Sequence, residues 1–170
     1  MKTIAICAGL ALFVMARGAA AETIFNKQSP NLCLADNNNR QKAVVWSCNG
    51  NSDQTWTETS VYGSWGVMFS NGSGGGCLGP YSDADPGTLN ESLYMEDCGR
   101  QFQYVKLDAG PNCHYIVTLN SFLTYLSTGD RSQVLAIGVL GALNTVPPKS
   151  GQALVLWTLN GDENQKWCFR

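Results

Sequence analysis

Two stretches of the sequence repeat one pattern: residues 46–56 read WSCNGNSDQTW, and residues 157–167 read WTLNGDENQKW. Both fit W-x-x-N-G-x-x-x-Q-x-W, and a short apolar run precedes the first tryptophan of each. Agreement in register at five positions, two of which are tryptophan pairs, indicates two copies of one structural unit. The matched positions are Trp46/Trp157, Asn49/Asn160, Gly50/Gly161, Gln54/Gln165 and Trp56/Trp167.

A third and more divergent unit fits between these copies. Cys33-Leu34 opens the first unit, and Cys48 follows its strand. In the same way, Cys77-Leu78 is followed by a turn-rich stretch, a strand and Cys98, although this middle unit has lost the Q-x-W pattern. Three β units of about 50 residues cannot bury their apolar faces alone, so we expect them to pack around a threefold axis and share one core.

Local signals favour strands along the whole chain. Short apolar or alternating runs, such as Val44–Trp46 and Leu154–Trp157, are separated by turn material such as Asn71-Gly72 and Asn160-Gly161. We find no sustained helical spacing of apolar residues between residues 22 and 170. The sequence therefore predicts an all-β sandwich or barrel.

The first 21 residues have the features of a secretory signal. Lys2 precedes an apolar run from Ile4 to Met15 that is too short to span a bilayer, and Ala19-Ala20-Ala21 supplies the small residues that a signal peptidase needs. We predict cleavage before Glu22 and a secreted domain of residues 22–170. No later apolar run is long enough for a membrane span, so none is expected.

Charge and cysteine content narrow the class of protein. The chain has 11 Lys and Arg against 13 Asp and Glu, and loss of Lys2 and Arg17 with the signal makes it more acidic. A weakly acidic domain without a basic run is a poor partner for nucleic acid or an anionic membrane.

The cysteines after Cys7 are even in number, which favours disulfides in an oxidising compartment. Zinc is the alternative, although the sequence has no Cys-x-x-Cys pair and its single histidine is His114.

The repeated Q-x-W, with Cys-Leu opening a unit and a cysteine closing its hairpin, resembles the ricin-type (ricin B-like) β-trefoil lectins. The resemblance covers residues 22–170 as three repeats, at roughly 22–66, 67–110 and 111–170. It implies a β-trefoil that binds carbohydrate without catalysis, and it implies no cofactor and no metal. It also implies the disulfides Cys33–Cys48, Cys77–Cys98 and Cys113–Cys168.

The resemblance implies a sugar site in the first repeat. A saccharide needs an aromatic platform for its apolar face, and a carboxylate and amides for its hydroxyls. Asp36, Trp46 and Gln54 match these roles, with Asp53 standing where the family usually has asparagine. We expect this repeat to bind a glycan. The alternative is a tryptophan at the edge of the core, a turn aspartate and a glutamine bonded to backbone.

The third repeat keeps Trp157, Asn164 and Gln165 but has a less obvious acid. Asp130 is the nearest candidate, although it lies much further from Trp157 than Asp36 does from Trp46. We expect an insertion at 131–151 to shape this pocket or to cover it. The second repeat has Glu96 in place of the aromatic platform, and we expect it to be structural.

The leading hypothesis is a secreted lectin that recognises cell-surface or extracellular glycans, of galactose type or another, through shallow pockets in the first and third repeats. One extension makes it the binding subunit of a toxin whose damage is done by a separate partner chain. The alternative is a β-trefoil protein-interaction module, an inhibitor or a structural subunit of a secreted complex, with degenerate sugar sites. In that alternative the apolar segment 131–151 is a docking patch, although we favour extra strand and core for this segment. Nothing in the sequence supplies His114 with catalytic partners, so we expect no enzyme.

Two N-glycosylation sequons lie on turn-like segments. They are Asn71-Gly72-Ser73 and Asn90-Glu91-Ser92. We expect Asn71 and Asn90 to be sites of modification if the chain passes through a eukaryotic secretory pathway.

Overall fold

The fold is built from short strands that recur along the chain. The computed structural model describes residues 20–37, 42–61, 66–74, 76–80, 89–98 and 102–170. The predicted signal sequence thus lies outside the described residues, apart from its last two alanines. Within these ranges the strands are β1 (Ala21–Glu22), β2 (Ile24–Asn26), β3 (Leu32–Ala35), β4 (Val44–Ser47), β5 (Trp56–Val61), β6 (Gly66–Asn71), β7 (Cys77–Pro80), β8 (Leu93–Glu96), β9 (Tyr104–Asp108), β10 (Cys113–Thr118), β11 (Leu135–Val139), β12 (Leu154–Thr158) and β13 (Lys166–Phe169).

Antiparallel pairing closes part of these strands into a barrel. β5 pairs with β6, β6 with β9, β9 with β10, β10 with β13, and β13 with β2. The first segment completes the ring, because Ala21 in β1 pairs with Thr57 in β5 while Asn26 in β2 pairs with Trp167 in β13. The remaining strands form three hairpins, β3–β4, β7–β8 and β11–β12, one in each repeat.

The three hairpins share one register, so the repeats are structural equivalents. The corresponding cross-strand pairs are Cys33↔Trp46, Cys77↔Glu96 and Ala136↔Trp157. In each repeat, the barrel strand after the hairpin sends a side-chain donor back to the hairpin's first strand. These hydrogen bonds run from Trp56 Nε1 to Leu34 O (3.0 Å), from Tyr104 OH to Leu78 O (3.2 Å) and from Trp167 Nε1 to Ile137 O (2.9 Å). This arrangement is a β-trefoil, and the predicted fold is confirmed.

The three aromatic donors lie in the shared core. Trp56, Tyr104 and Trp167 are fully buried together with leucine, isoleucine and phenylalanine side chains from every repeat. A buried donor without a partner costs about 1–3 kcal/mol, so the three bonds allow these large rings to be buried without that penalty. Burial, and secondarily the Glu91 carboxylate, raises the pKa of Tyr104, which keeps the hydroxyl protonated. Tyr104 thus takes the place of the tryptophan that the middle repeat lacks.

Among the described residues one helix interrupts the strands, contrary to the all-strand pattern that the sequence predicts. It is α1, Leu119–Thr128, between β10 and β11. Gly129 ends the helix in the left-handed conformation (φ 74°), where it donates its N–H to the carbonyl of Tyr125. The apolar spacing of α1 extends over only 10 residues, many of them serine or threonine, so it does not stand out in the sequence.

The helix also corrects the predicted position of the insertion. β11 begins at Leu135 and belongs to the third hairpin, in the middle of the segment 131–151. The extra residues of the third repeat therefore lie before the hairpin, in α1 and the 3-10 turn Arg131–Gln133. Most apolar residues of the predicted insertion are buried, including Val134, Leu135, Ile137 and Val139. They form strand and core, as favoured from the sequence, and the exposed apolar residues of the segment lie after β11.

Three disulfides join the pairs that the resemblance implies. Cys33–Cys48 and Cys77–Cys98 close the first and second hairpins, and Cys113–Cys168 ties β10 to β13. On a chain-entropy account each contributes on the order of 2–4 kcal/mol. Such pairing is consistent with an oxidising, extracellular compartment. Among the described residues, no helix is long and apolar enough to cross a membrane.

Candidate functional site

Of the tryptophans that the structure describes, two lie outside the core at equivalent positions. Trp46 is 47% exposed and Trp157 is 41% exposed, whereas the tryptophans of the Q-x-W motifs are buried. Both side chains project from the second strand of a hairpin, opposite Cys33 and Ala136. The predicted platforms are therefore at the surface, where a ligand can reach an indole face.

Trp157 forms part of a cavity of about 320 Å³ in the third repeat. One wall is the end of β11 and the turn after it, from Gly138 to Leu143, and the other includes Val155 and Trp157. Its polar lining residues are Asn90, Asn160, Asp162, Asn164 and Gln165. The predicted residues Trp157, Asn164 and Gln165 are thus brought together in one place.

The glutamines of the two Q-x-W motifs form hydrogen bonds with backbone groups. Gln165 accepts a hydrogen bond from the Asn160 N–H (3.0 Å) and donates to the Thr158 carbonyl (2.9 Å). Gln54 does the same in the first repeat, accepting from the Asn49 N–H (2.8 Å) and donating to the Ser47 carbonyl (2.9 Å). Both glutamines are buried. Their amides fix the turn after the exposed tryptophan, which is the alternative that the sequence left open.

The residue before each glutamine also forms hydrogen bonds with a distant segment of the chain. Asn164 is buried and donates from its side-chain amide to the Ala142 carbonyl (3.2 Å), at the base of the cavity wall. Asp53, at the equivalent place in the first repeat, is half-buried. Its backbone carbonyl accepts from the Asp36 N–H and from the Asn71 side-chain amide, both at 2.9 Å. These contacts position the hairpins.

The predicted acid of the first repeat lies beneath the surface. Asp36 directly follows β3 and is 2% exposed, and its Oδ2 accepts a hydrogen bond from the Ser73 hydroxyl (3.2 Å). The shared register places Pro80 and Val139 at the corresponding positions of the second and third repeats, so Asp36 has no carboxylate counterpart there. The neighbouring residues 38–41 lie outside the described residues.

The structure does not bring Asp130 to the Trp157 cavity. Asp130 caps the 3-10 turn before β11, where its carboxylate accepts from the backbone and hydroxyl of Ser132 and from the Gln133 amide. These hydrogen bonds lower the pKa of the Asp130 carboxyl below its usual value, and the one from the Ser132 hydroxyl has the largest effect. The expectation that Asp130 supplies the acid of the third repeat fails because α1 and this turn place it before the hairpin.

A different carboxylate lies at the cavity, and sequence reasoning missed it. Asp162 accepts from the side-chain amide of Asn144 at Oδ1 and from that of Asn160 at Oδ2 (2.8 Å). The Asp162 N–H in turn donates to Asn160 Oδ1 (2.9 Å). The available signal was a difference between the two copies of the repeated pattern, since Asp162 stands where the first copy has Asn51.

The surroundings of Trp46 are more restricted. Gly151, from the turn before β12, lies close enough that an added Cβ would be 3.2 Å from Trp46 Cζ3. Its φ of +87° is a second reason for glycine at this position. Beside it, the Ser47 N–H donates to the Ser150 hydroxyl (3.3 Å). The third repeat therefore packs against one edge of the Trp46 ring.

The single histidine does not line the Trp157 cavity. His114 in β10 makes an edge contact with the Phe169 ring, with centroids 5.5 Å apart. Burial, followed by the charge of Lys106, lowers its pKa, while Asp108 and other acids act in the opposite direction. Among the described residues, no three His, Cys, Asp or Glu side chains are grouped so that they could hold a metal ion.

The chain resembles known proteins in structure and not in sequence. No protein-family model and no curated protein matches it. A designed threefold-symmetric protein, ThreeFoil, superposes with a TM-score of 0.68 at 15% identity, over 88% of this chain and 96% of that one. The Rhizoctonia solani agglutinin gives 0.67 at 14% identity, over 91% and 96%. The Macrolepiota procera ricin B-like lectin, solved in complex with lactose, gives 0.65 at 13% identity, over 92% and 98%. At these identities the likeness shows the fold, a β-trefoil of the kind found in lectins.

Proposed function

We propose that the protein is a secreted, non-catalytic lectin of the ricin B-like type whose main sugar site is the cavity beside Trp157. The observation that carries this proposal is the exposed Trp157 indole, which forms a cavity wall next to the Asp162 carboxylate and the Asn160 amide. A sugar ring presents an apolar C–H face to an aromatic ring and hydroxyls to neighbouring acceptors and donors. The site offers both kinds of group within one cavity.

The first repeat is a second and weaker site in this proposal. Trp46 has the same register and exposure as Trp157, but Asp36 is buried beside Ser73, and the third repeat packs against an edge of the ring. Asp36, Asp53 and Gln54 then hold the hairpin in place, and Trp46 provides the contact surface.

Affinity for one saccharide is expected to be modest. Net hydrogen bonds contribute about 1 kcal/mol each, so a stacked face with a few such bonds gives roughly millimolar to micromolar binding. Two sites on one chain would raise the apparent affinity for a surface that displays many copies of the glycan.

Structural neighbours that bind sugars support a saccharide as the ligand. The lactose in the Macrolepiota procera complex makes galactose-type sugars the first to test, without fixing the choice. Delivery of a separate toxin chain remains a prediction, and its test is co-purification of such a chain from the natural source.

A role in protein contacts is the second candidate. Leu123 and Leu126 of α1 are 48% and 55% exposed, and Leu140 and Leu143 are similarly exposed after β11. Exposed leucines in this number are compatible with a protein partner. The lectin proposal is preferred because it also accounts for the tryptophan and for the polar residues around the cavity.

A glycan array probed with residues 22–170 tests the proposal. We expect binding to a defined group of glycans, loss of most of that signal in Trp157→Ala, and a smaller loss in Trp46→Ala. Leu123→Ser serves as the matched control, because it changes an exposed apolar side chain of α1 that lies outside the cavity. An array without signal from the folded protein would favour the protein-contact candidate, and a glycan signal that only Leu123→Ser abolishes would contradict the cavity as the sugar site.

A further inference from the structure

We propose that α1 attaches the protein to an uncharged lipid surface, into which its exposed leucines insert to a shallow depth. The helix is separate from the Trp157 cavity, since none of its residues lines that cavity. The inference therefore goes beyond the proposed function. It rests on how the side chains of α1 are distributed around the helix.

The apolar side of α1 is wider than the surface against which the helix packs. Phe122 and Tyr125 are half-buried and pack against a small apolar cluster that is separate from the main core. Leu123 is 48% exposed and Leu126 is 55% exposed. Leu126 follows Phe122 by four residues and Leu123 by three, so these side chains are neighbours on one side of the helix. The apolar side thus continues from the packed part of α1 into solvent.

The rest of the helix surface is polar but uncharged. From Tyr115 to Gly129 the chain has no Asp, Glu, Lys, Arg or His. The first charged residues after the helix are Asp130 and Arg131, which have opposite signs. A helix without Lys or Arg has no attraction for an anionic membrane, and the acidic chain as a whole is repelled by one. The lipid surface that fits α1 is therefore zwitterionic.

The hydroxyl groups on the solvent side of α1 form their hydrogen bonds within the helix. Thr124 donates to the Asn120 carbonyl at 3.0 Å. Ser127 and Thr128 donate to the Thr124 carbonyl at 2.8 Å and 2.9 Å. A hydroxyl that already donates to the protein loses less when water is removed from it. This pattern lowers the cost of moving the exposed side of α1 from water to the boundary between lipid headgroups and acyl chains.

The buried side of α1 fixes the helix to the barrel. Ser121 is 3% exposed, and its hydroxyl donates to the Thr118 carbonyl (3.0 Å) and accepts from the Leu135 N–H (3.0 Å). The helix is therefore formed and held before any lipid is present. Insertion of the leucines then needs no folding of a segment, which is the usual entropic cost of attachment by a flexible peptide.

A second copy of the chain, or a partner protein, fits this surface less well. The helix has 10 residues. A helix of this size is about 15 Å long and about 10 Å wide, so its exposed side offers roughly 150 Å². Stable protein interfaces bury about 800 Å² on each partner. A lipid surface has no such minimum, because each inserted side chain contributes in proportion to the apolar area removed from water.

Vesicle flotation tests the inference. Residues 22–170 are mixed with an excess of small phosphatidylcholine vesicles that contain no glycolipid, so a sugar site cannot contribute. We expect part of the protein to float with the vesicles, weakly and reversibly. The floating fraction should be similar at low and high salt, because the contact is apolar.

Two substitutions remove the apolar contact, and a third is matched to them. Leu123→Ser and Leu126→Ser are each expected to lower the vesicle partition coefficient about fivefold, and together about 25-fold, scaled to the exposed half of each side chain. Leu89→Ser changes a leucine outside α1 that is 50% exposed, and it should float as the wild type does. Melting temperatures should stay close to wild type, because all three side chains are exposed.

A fluorescent reporter distinguishes insertion from contact with the headgroups. Leu126→Trp keeps a large apolar side chain at the inserted position and should retain flotation. Lipids brominated in their acyl chains quench an indole that they touch. The variant should therefore lose a larger fraction of its fluorescence on binding than the wild type, whose tryptophans all lie outside α1. Equal quenching of the two proteins would overturn insertion.

The remaining outcomes separate this inference from the lectin proposal. A folded wild-type protein that does not float, or flotation that the double leucine variant retains, would overturn the inference. Flotation that requires phosphatidylserine and falls with salt would also overturn it, since that dependence marks an electrostatic contact. A wild-type dimer in analytical ultracentrifugation that Leu123→Ser dissociates would assign the surface to a second copy. Glycan-array binding of the double variant should equal wild type, so the array tests the lectin proposal and the vesicles test this one.

Discussion

Trp46 and Trp157 occupy the same position in two repeats of one β-trefoil. Each lies on the second strand of its hairpin, directly opposite a residue of the first strand. The opposite residue is Cys33 for Trp46 and Ala136 for Trp157. Both indoles are close to half exposed, while Trp56 and Trp167 are buried. In the proposed function these two exposed rings are the surfaces that contact the ligand.

Substitution of the two exposed tryptophans should separate binding from stability. Trp157→Ala removes the stacking surface at the cavity, and we expect glycan affinity to fall by about tenfold or more. Its melting temperature should change little, because the side chain is 41% exposed and lies outside the core. Calorimetric titration together with thermal unfolding measures both quantities. Leu123→Ser is the matched control, and a larger effect on binding from Trp46→Ala than from Trp157→Ala would contradict the assignment of the main site.

Substitution of a buried tryptophan should have the opposite effect. Trp167→Phe keeps an aromatic ring but leaves the Ile137 carbonyl without its 2.9 Å hydrogen bond. We expect the free energy of unfolding to fall by about 1–3 kcal/mol, as for other buried groups left without a partner. Tyr104→Phe makes the equivalent change in the middle repeat at the Leu78 carbonyl. Denaturant unfolding measures both, and an unchanged stability in both variants would contradict the common role of these donors.

The glutamines of the Q-x-W motifs should prove structural. Gln165→Ala removes an amide that bonds both the Asn160 N–H and the Thr158 carbonyl, so we expect lower stability by about 1–3 kcal/mol. Gln54→Ala should behave alike, because it makes the same two bonds five and seven residues back in the first repeat. Chemical denaturation is the measurement. Loss of glycan affinity without loss of stability in Gln165→Ala would show direct contact with the ligand.

The two sequons should differ in glycosylation. Asn71 is 7% exposed and its side-chain amide donates to the Asp53 carbonyl, which leaves no room for a glycan in the folded protein. Asn90 is exposed in a turn at φ 69° and lines the Trp157 cavity. In a eukaryotic secretory host we expect a glycan on Asn90 and none on Asn71. Because Asn90 lines the Trp157 cavity, its glycan should weaken binding of a saccharide there. Mass spectrometry before and after enzymatic deglycosylation, with Asn90→Gln as the control, checks both, and a glycan on Asn71 would contradict the prediction.

Stability should fall as the solution becomes mildly acidic. The pKa of His114 is lowered in the folded protein, by burial and then by Lys106, despite the opposing charges of Asp108, Glu58 and Glu22. As pH falls below the ordinary histidine value of about 6.5, the unfolded chain binds a proton before the folded one does, so unfolding becomes more favourable. Above that pH this contribution is constant. Melting temperatures of wild type and His114→Asn across this range test the assignment, and the variant should lose less stability on acidification.

The sequence predicted the fold through positions that the core requires. Trp56 and Trp167 are buried donors that pack and bond in the same way, so their spacing survives as a visible repeat. The middle repeat uses the Tyr104 hydroxyl for this purpose. Because the tryptophan of the Q-x-W motif is replaced there, the repeat is difficult to recognise in the sequence. The disulfide pairing followed from the resemblance and agrees with the structure.

The sequence was a weaker guide to the site, because site residues are fixed by packing between distant segments. Asp130 was misplaced because α1 and the turn after it separate this residue from the hairpin. Asp162 was missed because its position depends on Asn144, 18 residues away in sequence, in the turn between β11 and β12. The glutamines were identified as polar residues near the tryptophans, but a sequence cannot tell whether an amide bonds backbone or ligand.

The most direct test of the central claim is a nitrogen–proton NMR titration that follows the tryptophan indole N–H signals of the folded protein. A glycan selected from the array is added to saturation, with Trp157→Ala and Trp46→Ala used to assign the exposed indoles. We predict that the Trp157 signal shifts first and furthest, that the Trp46 signal responds less, and that the buried Trp56 and Trp167 signals stay in place. A bound glycan that leaves the Trp157 signal unmoved would contradict the account.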